Sequence, residues 1–285
     1  MPSVQMRTVE YYQNGAIRLA YEREGTGPVI IFMHGIGGNR TNWYEQQTVL
    51  SNRFCTMALD ARGYGKSDDP IKTLKFSDFA DDLYALLNYL DVKLAHLVGL
   101  SMGGMIALDF CGRYPQRVAT LTLADSSQGL GTADEATRQD FLKRRLDPLE
   151  SGLTPADLAP KMIDILVGSK ASEKVRQRLL DSLSVVRTGP YIQALKATVT
   201  TDFRAILPNI DVPTLIIVGD EDKVLPPAES QVLADAIPGA VLVTIEHAGH
   251  LSNIESPDRF NAILGEFLDR HATIADALQP LEESL

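Results

Sequence analysis

The chain has 285 residues, 45% hydrophobic and 22% charged, which is enough to bury one large core and too ordinary for a disordered or membrane-embedded protein. Its 27 basic and 37 acidic residues give a net charge of −10, which disfavours nucleic acid and anionic membranes as partners and obliges any small anionic substrate to find a local basic group. No apolar run approaches the ~18 residues of a spanning helix, and the N-terminal MPSVQMRTVEYYQNG lacks a signal peptide's apolar stretch, so a cytoplasmic location is expected.

In chain order, Met6 to Tyr12, Ile17 to Glu22 and Pro28 to Met33 read as strands, broken at Asn14-Gly15 and Gly25-Thr26-Gly27. Asn-Gly between extended runs is a hairpin signal. His34-Gly35-Ile36-Gly37-Gly38 is too glycine-rich for regular structure, Thr41 to Leu50 can form a short helix, and Phe54 to Leu59 is a further buried strand. Asp60 to Ser67 is a loop by composition, and Phe79, Leu83, Leu86, Leu87 and Leu90 recur at helical spacing over residues 77 to 90. Next come an apolar run from Ala95 to Val98, a helical run from Met102 to Tyr114, and a strand from Val118 to Ala124. This alternation predicts a mostly parallel sheet with helices on both faces. From Gly129 to Thr200 the alternation stops, and polar helical stretches are separated by Pro148, Gly152, Pro155, Gly168 and Gly189-Pro190. An inserted helical lid is expected there. The pattern resumes with a strand at Val212 to Val218, a helix near Pro227 to Ala236, a strand at Val241 to Ile245 and a helix from Pro257 to His271. The expected division is a core in two parts, 1–128 and 201–273, a lid over 129–200 and a frayed tail over 274–285. Cys55 and Cys111 lack disulfide-framework or metal-site spacing and read as buried packing residues.

Chemistry concentrates at Gly99-Leu100-Ser101-Met102-Gly103, a GxSxG sequence between a strand and a helix. A serine hydroxyl is a poor nucleophile unless it is held clear of both elements and given a base. A sharp elbow does the first, and small residues two before and two after the serine let strand and helix approach. The base must be a histidine held by a carboxylate, each on a loop after a later strand, in the order serine, acid, histidine. His34 lies in the glycine loop, His96 opens the strand before the serine and His271 ends the last helix, which leaves His247 and His250. His250 is favoured because Ala248-Gly249 permits a turn that aims it back. For the acid, Asp220, Glu221 and Asp222 share one loop; Asp222 is preferred, and Asp125, after another strand, is the alternative. The oxyanion N–H groups are expected from Met102, directly after the serine, and from Ile36. No Lys-Ser/Thr pair follows Gly38 and the glycines miss the GxGxxG spacing, so nucleotide-binding readings of this loop fail.

With HGIGG, DARGYGKSD, GLSMGG, GDEDKVLPP and HAGHLSNIESPDRF in this order, the chain resembles the α/β-hydrolase superfamily over nearly its whole length. GLSMGGMIALDF and GHLSNIESPDRFN look most like 3-oxoadipate enol-lactonases, which open an unsaturated lactone in aromatic catabolism. The resemblance implies an α/β-hydrolase fold with a mostly parallel eight-stranded sheet, a Ser101, Asp222 and His250 triad, oxyanion donors Ile36 and Met102, and a four-helix-type lid. It implies a hydrolase of a small ester or lactone, working without metal or organic cofactor. The family's carbon-carbon bond hydrolases share the HG loop, SMGG and a nearby tryptophan, which Trp43 matches, but usually carry a tryptophan where Leu251 stands. A ligand receptor on the same fold is the alternative of a different class. Trp43, Arg144, Arg145 and Arg187 are candidate substrate contacts, the arginines for a substrate carboxylate, and a homodimer through an apolar lid face is compatible with the sequence.

Overall fold

The computed structural model describes residues 7–274 and 277–278. Its first strands, β1 (Val9–Asn14) and β2 (Ile17–Glu24), form an antiparallel hairpin whose two loop residues are Gly15 and Ala16, one position later than the Asn-Gly reading. Gly15 takes the left-handed φ of 60° that such a turn needs. The N-terminal end of the expected first strand, Met6, lies outside the described residues.

Next come β3 (Gly27–Met33), α1 (Tyr44–Leu50), β4 (Cys55–Leu59), α2 (Ser77–Tyr89), β5 (Ala95–Leu100), α3 (Met102–Arg113) and β6 (Val118–Ala124). The four helices α4 (Glu135–Glu150), α5 (Pro155–Leu166), α6 (Glu173–Ser184) and α7 (Thr188–Thr198) follow before the sheet resumes. The chain then adds β7 (Thr214–Gly219), α8 (Pro227–Ala236), β8 (Val241–Ile245), α9 (Ser252–Glu255) and α10 (Pro257–His271). The sheet order is β1-β2-β4-β3-β5-β6-β7-β8, parallel from β4 onward. A two-residue β9 (Ala277–Leu278) pairs antiparallel with Gly27 and Pro28, within the stretch expected to be a frayed tail; residues 275–276 and 279–285 of that tail lie outside the described residues.

The central strands are continuous apolar runs because both faces are covered. β5, β6 and β7 are buried at every residue, whereas β8 at the edge begins with an exposed Val241. One face packs α2 and α3 through Phe79, Leu83, Leu86 and Phe110; the other packs α1 and α10 through Leu50, Phe260, Leu264 and Leu268. Cys55 and Cys111 lie in the core, where burial pushes both thiols up to about 11. No helix among the described residues is long and apolar enough to cross a membrane.

His96 faces this core from β5, with Nδ1 2.9 Å from the Thr120 hydroxyl and Nε2 without a partner. Burial, reinforced by His271, lowers its pKa to about 4. The unfolded chain therefore binds a proton near pH 6.5 that the folded chain refuses until about 4. The corresponding stability, up to about 3 kcal/mol, is fully present above pH 6.5 and is lost as pH falls towards 4. Denaturant titrations at steps across that window are expected to show this loss in the native chain and a flatter profile in His96→Gln.

The four inserted helices are specified locally. Asp134, Thr154 and Ser172 cap the starts of α4, α5 and α6, and Pro155 occupies the first turn of α5. Ala159 and Ile163 of α5 pack on Leu179 and Leu183 of α6, and this cluster reaches Ile254 of α9. Leu146, Leu149, Tyr191 and Leu195 form a second cluster that reaches Ile36 in the glycine loop. The insertion thus sits directly over the carboxyl ends of the strands.

Candidate active site

Ser101 stands between β5 and α3 with φ 54° and ψ −116°, a strained conformation for a residue with a Cβ. The strain is held by several contacts. Ser101 N–H donates to the Ala124 carbonyl at 2.9 Å, and the Ser126 hydroxyl donates to the Ser101 carbonyl at 2.8 Å. The flanking glycines are sterically required: a Cβ on Gly99 would lie 2.2 Å from the Gly103 carbonyl oxygen, and one on Gly103 would lie 2.1 Å from the Met33 carbonyl oxygen. That approach brings the end of β3, and the glycine loop after it, against the serine.

The loops after β7 and β8 bring Asp222 and His250 to the same place. Asp222 is buried; its Oδ1 accepts from the N–H groups of Val224 and Leu225 at 2.7 and 2.9 Å, leaving Oδ2 2.7 Å from His250 Nδ1. His250 Nε2 is 2.9 Å from Ser101 Oγ. Burial, the largest influence, lowers the His250 pKa, but the hydrogen bond and charge of Asp222, joined by Asp125 and Glu255, outweigh it and hold the ring above its ordinary value.

The other candidates are spent elsewhere. His34 is buried, donates from Nδ1 to the Gly35 carbonyl at 2.8 Å and accepts the Ala61 N–H at Nε2 at 3.1 Å; burial lowers its pKa, so it shapes the loop as a neutral ring. His247 is exposed and turns towards Glu221, 3.4 Å away. Asp220 accepts the His247 N–H at 2.6 Å, and Glu221 accepts the N–H and hydroxyl of Ser169 at 2.5 and 2.6 Å. Asp125, the alternative acid, does not reach His250. Its Oδ1 accepts the Gly219 N–H at 2.9 Å and its Oδ2 accepts the Ser252 N–H and hydroxyl at 3.1 and 2.6 Å, so it ties the ends of β6 and β7 to α9. Burial and the nearby Asp222 charge push its carboxyl up to about 7.

A cavity of about 40 Å³ opens beside Ser101 between Ile36, the glycine loop, His250 and the inner faces of α5 and α6. Trp43 is not on its wall. The indole is wholly buried under the sheet, 4.8 Å from the Phe32 ring and 6.2 Å from Phe260, because a large aromatic next to the glycine loop also fits the core behind it. Arg144 projects into solvent and pairs with Asp140. Arg187 bonds Asp69 and the carbonyls of Gly65 and Ser67 at 2.6 to 2.8 Å, fastening α7 to the loop after β4. Arg145 stacks over Phe141 at 3.6 Å and does not line the cavity either.

One residue escaped sequence reasoning. Glu255 accepts N–H groups from Gly168 at 2.7 Å, Gly249 at 3.0 Å and Leu251 at 3.3 Å, gripping the turn between α5 and α6 and the loop of His250 together. The His250 N–H itself donates to the Leu166 carbonyl at 2.7 Å. A Cβ on Gly168 would lie 2.4 Å from the His247 carbonyl oxygen, so the crossing requires glycine. The Ser252-x-x-Glu255 spacing reads as a local helix cap; nothing local reveals a partner 87 residues earlier.

The sheet order, the serine elbow and the loops after β7 and β8 place the chain in the α/β-hydrolase fold family, whose model matches residues 28–257, and the chain belongs to it. Among its relatives, 3-oxoadipate enol-lactonase 2 of Acinetobacter baylyi is 26% identical over 263 residues, covering 92% of this chain and 96% of that protein. A thermophilic esterase from Thermogutta terrifontis superposes with a TM-score of 0.82 at 29% identity, covering 93% of this chain and 99% of that one. The enol-lactonase from Burkholderia xenovorans LB400 gives 0.81 at 26% identity, covering 91% and 100%.

Proposed function

We propose that the protein hydrolyses a small carboxylic ester or lactone through an acyl-enzyme on Ser101, under a lid formed by residues 129–200. The observation that carries this reading is the unbroken chain from Ser101 Oγ to His250 at 2.9 Å and on to Asp222 at 2.7 Å, at the mouth of a cavity. Ser101 attacks the carbonyl as His250 Nε2 takes its proton, and Asp222 holds the tautomer and stabilises the imidazolium. Ile36 and Met102 N–H groups receive the developing oxyanion, which α3 favours further because its N-terminus points there. His250 returns the proton to the leaving oxygen, then activates water against the acyl-enzyme. The Acinetobacter and Thermogutta relatives, a lactonase and an esterase, suit this chemistry.

A panel of simple esters, an enol-lactone and a ring-fission dienone tests it, with the serine labelled by a fluorophosphonate and located by mass spectrometry. Rapid multiple turnover of esters or lactones with label on Ser101 is expected. Cleavage of the dienone alone assigns a carbon-carbon bond hydrolase, and a single slow turnover assigns a receptor.

The pH profile follows from the raised His250. The base must be neutral, so kcat/KM falls as pH drops through its pKa, and the acid limb is expected above the 6.5 of an unperturbed histidine. A rate that stays level from pH 8 to 5.5 removes His250 as the base.

A further inference from the structure

Every side chain on the wall of the cavity beside Ser101, other than His250, is uncharged. Ile36, Leu166, Leu179, Leu183 and Leu251 make most of the surface, and its remaining polar side chains, Asn42 and Ser182, are neutral. Asn42 Oδ1 already accepts the Asn39 N–H at 2.8 Å, and the Ser182 hydroxyl accepts from Asn39 Nδ2 at 3.2 Å. None of the insertion's six arginines, Arg138, Arg144, Arg145, Arg176, Arg178 and Arg187, is on this wall; Arg178, next to Leu179 on α6, pairs with Glu45 and donates to the Thr41 carbonyl at 2.6 Å. The only titratable group present, His250, must be neutral to act as a base, and the N–H groups at the start of α3 serve the oxyanion.

We propose that this cavity selects a short, uncharged acyl group and rejects acyl groups that carry a carboxylate. This deepens the ester or lactone reading above and rests on it. A carboxylate entering the cavity would give up its hydration for leucine side chains with no cation on the wall, whereas an alkyl group of the same shape gains by leaving water. The cavity is small, about 40 Å³ against the roughly 300 Å³ or more of a pocket for a drug-sized ligand, which favours a short acyl chain. Leu183 is on this wall and packs against the glycine loop, its Cδ2 2.9 Å from where a Cβ on Gly37 would be. A 3-oxoadipate-type lactone, which carries a carboxylate, is by this argument a poor substrate of the chain despite the likeness in sequence.

The test uses the intact protein and ethyl esters followed by pH-stat titration at pH 8, each rate divided by the ester's own hydroxide-catalysed rate. Ethyl 3-methylbutanoate and monoethyl malonate have acyl groups of nearly equal shape and differ in charge; ethyl butyrate and ethyl octanoate differ in length. The neutral member of the first pair is expected to have a kcat/KM at least about 30-fold higher. Butyrate is expected to exceed octanoate by about tenfold or more, and Leu183→Ala to narrow that gap while leaving the malonate monoester disfavoured. Malonate within about threefold of its isostere, or octanoate preferred to butyrate, overturns the proposal while Ser101-dependent turnover keeps the hydrolase reading in place. If no ester is turned over and Ser101 takes no label, both fall together. The native chain's substrate series decides even if Leu183→Ala does not fold.

Discussion

Replacement of Ser101 by alanine is expected to lower kcat for ester hydrolysis by about 10⁵ to 10⁶, with His250→Ala equally damaging and the double variant no worse than either. The size follows from the division of labour. Without the hydroxyl there is no acyl-enzyme, and without the imidazole the hydroxyl has nowhere to send its proton, so each loss removes the same pathway. What survives is the rate that oriented N–H donors can give an attacking water. Because Ser101 is held at φ 54° by bonds to its own backbone, Ser101→Ala keeps the elbow and its contacts. Circular dichroism and the denaturation midpoint should therefore stay close to those of the native chain while turnover collapses. An alanine variant that retains near-full ester hydrolysis would dispose of the mechanism.

The second large effect separates two buried carboxylates. Asp222→Asn is expected to cost about 10⁴ in kcat, because an amide facing His250 Nδ1 favours the tautomer that protonates Nε2 and cannot stabilise the imidazolium. Asp125→Asn should cost far less in kcat and more in stability. Asp125 accepts from three donors, so turning one oxygen into an N–H₂ sets a donor against a donor at Gly219 or Ser252. A loss of about 1–3 kcal/mol in unfolding free energy is expected. Kinetics and denaturant titration on both variants check the ordering. If Asp125→Asn is the more damaging to kcat, the carboxylate that orients the base has been misassigned.

The fold was legible because the central strands are unbroken apolar runs and α2 repeats its leucines at helical spacing, so burial writes itself into composition over a few residues. That Ser101, Asp222 and His250 come together was legible for a different reason: each lies in a loop directly after such a run. Trp43 was misread because proximity in sequence to the glycine loop does not tell which side of the sheet an indole enters, and the space beside Phe32 took it. Arg187 was misread because its partners, Asp69 and the carbonyls of Gly65 and Ser67, lie about 120 residues away. Asp125 was singled out as an acid from its place after β6, and that place instead puts it within reach of β7 and α9. Glu255 gave no local sign at all.

The bonds that Glu255, Glu221 and Leu166 make around the turn between α5 and α6 bear on how this chain can be re-engineered. Specificity on such a scaffold invites exchange of the whole insertion for one from a relative. Here the exchange would remove the carbonyl that holds the His250 backbone and the glycine that lets two chains cross, and the recipient would lose the seat of the proposed base along with its old specificity. A transplant that retains residues 166–169 and replaces only α4, α6 and α7 keeps the catalytic loop seated and changes what surrounds it.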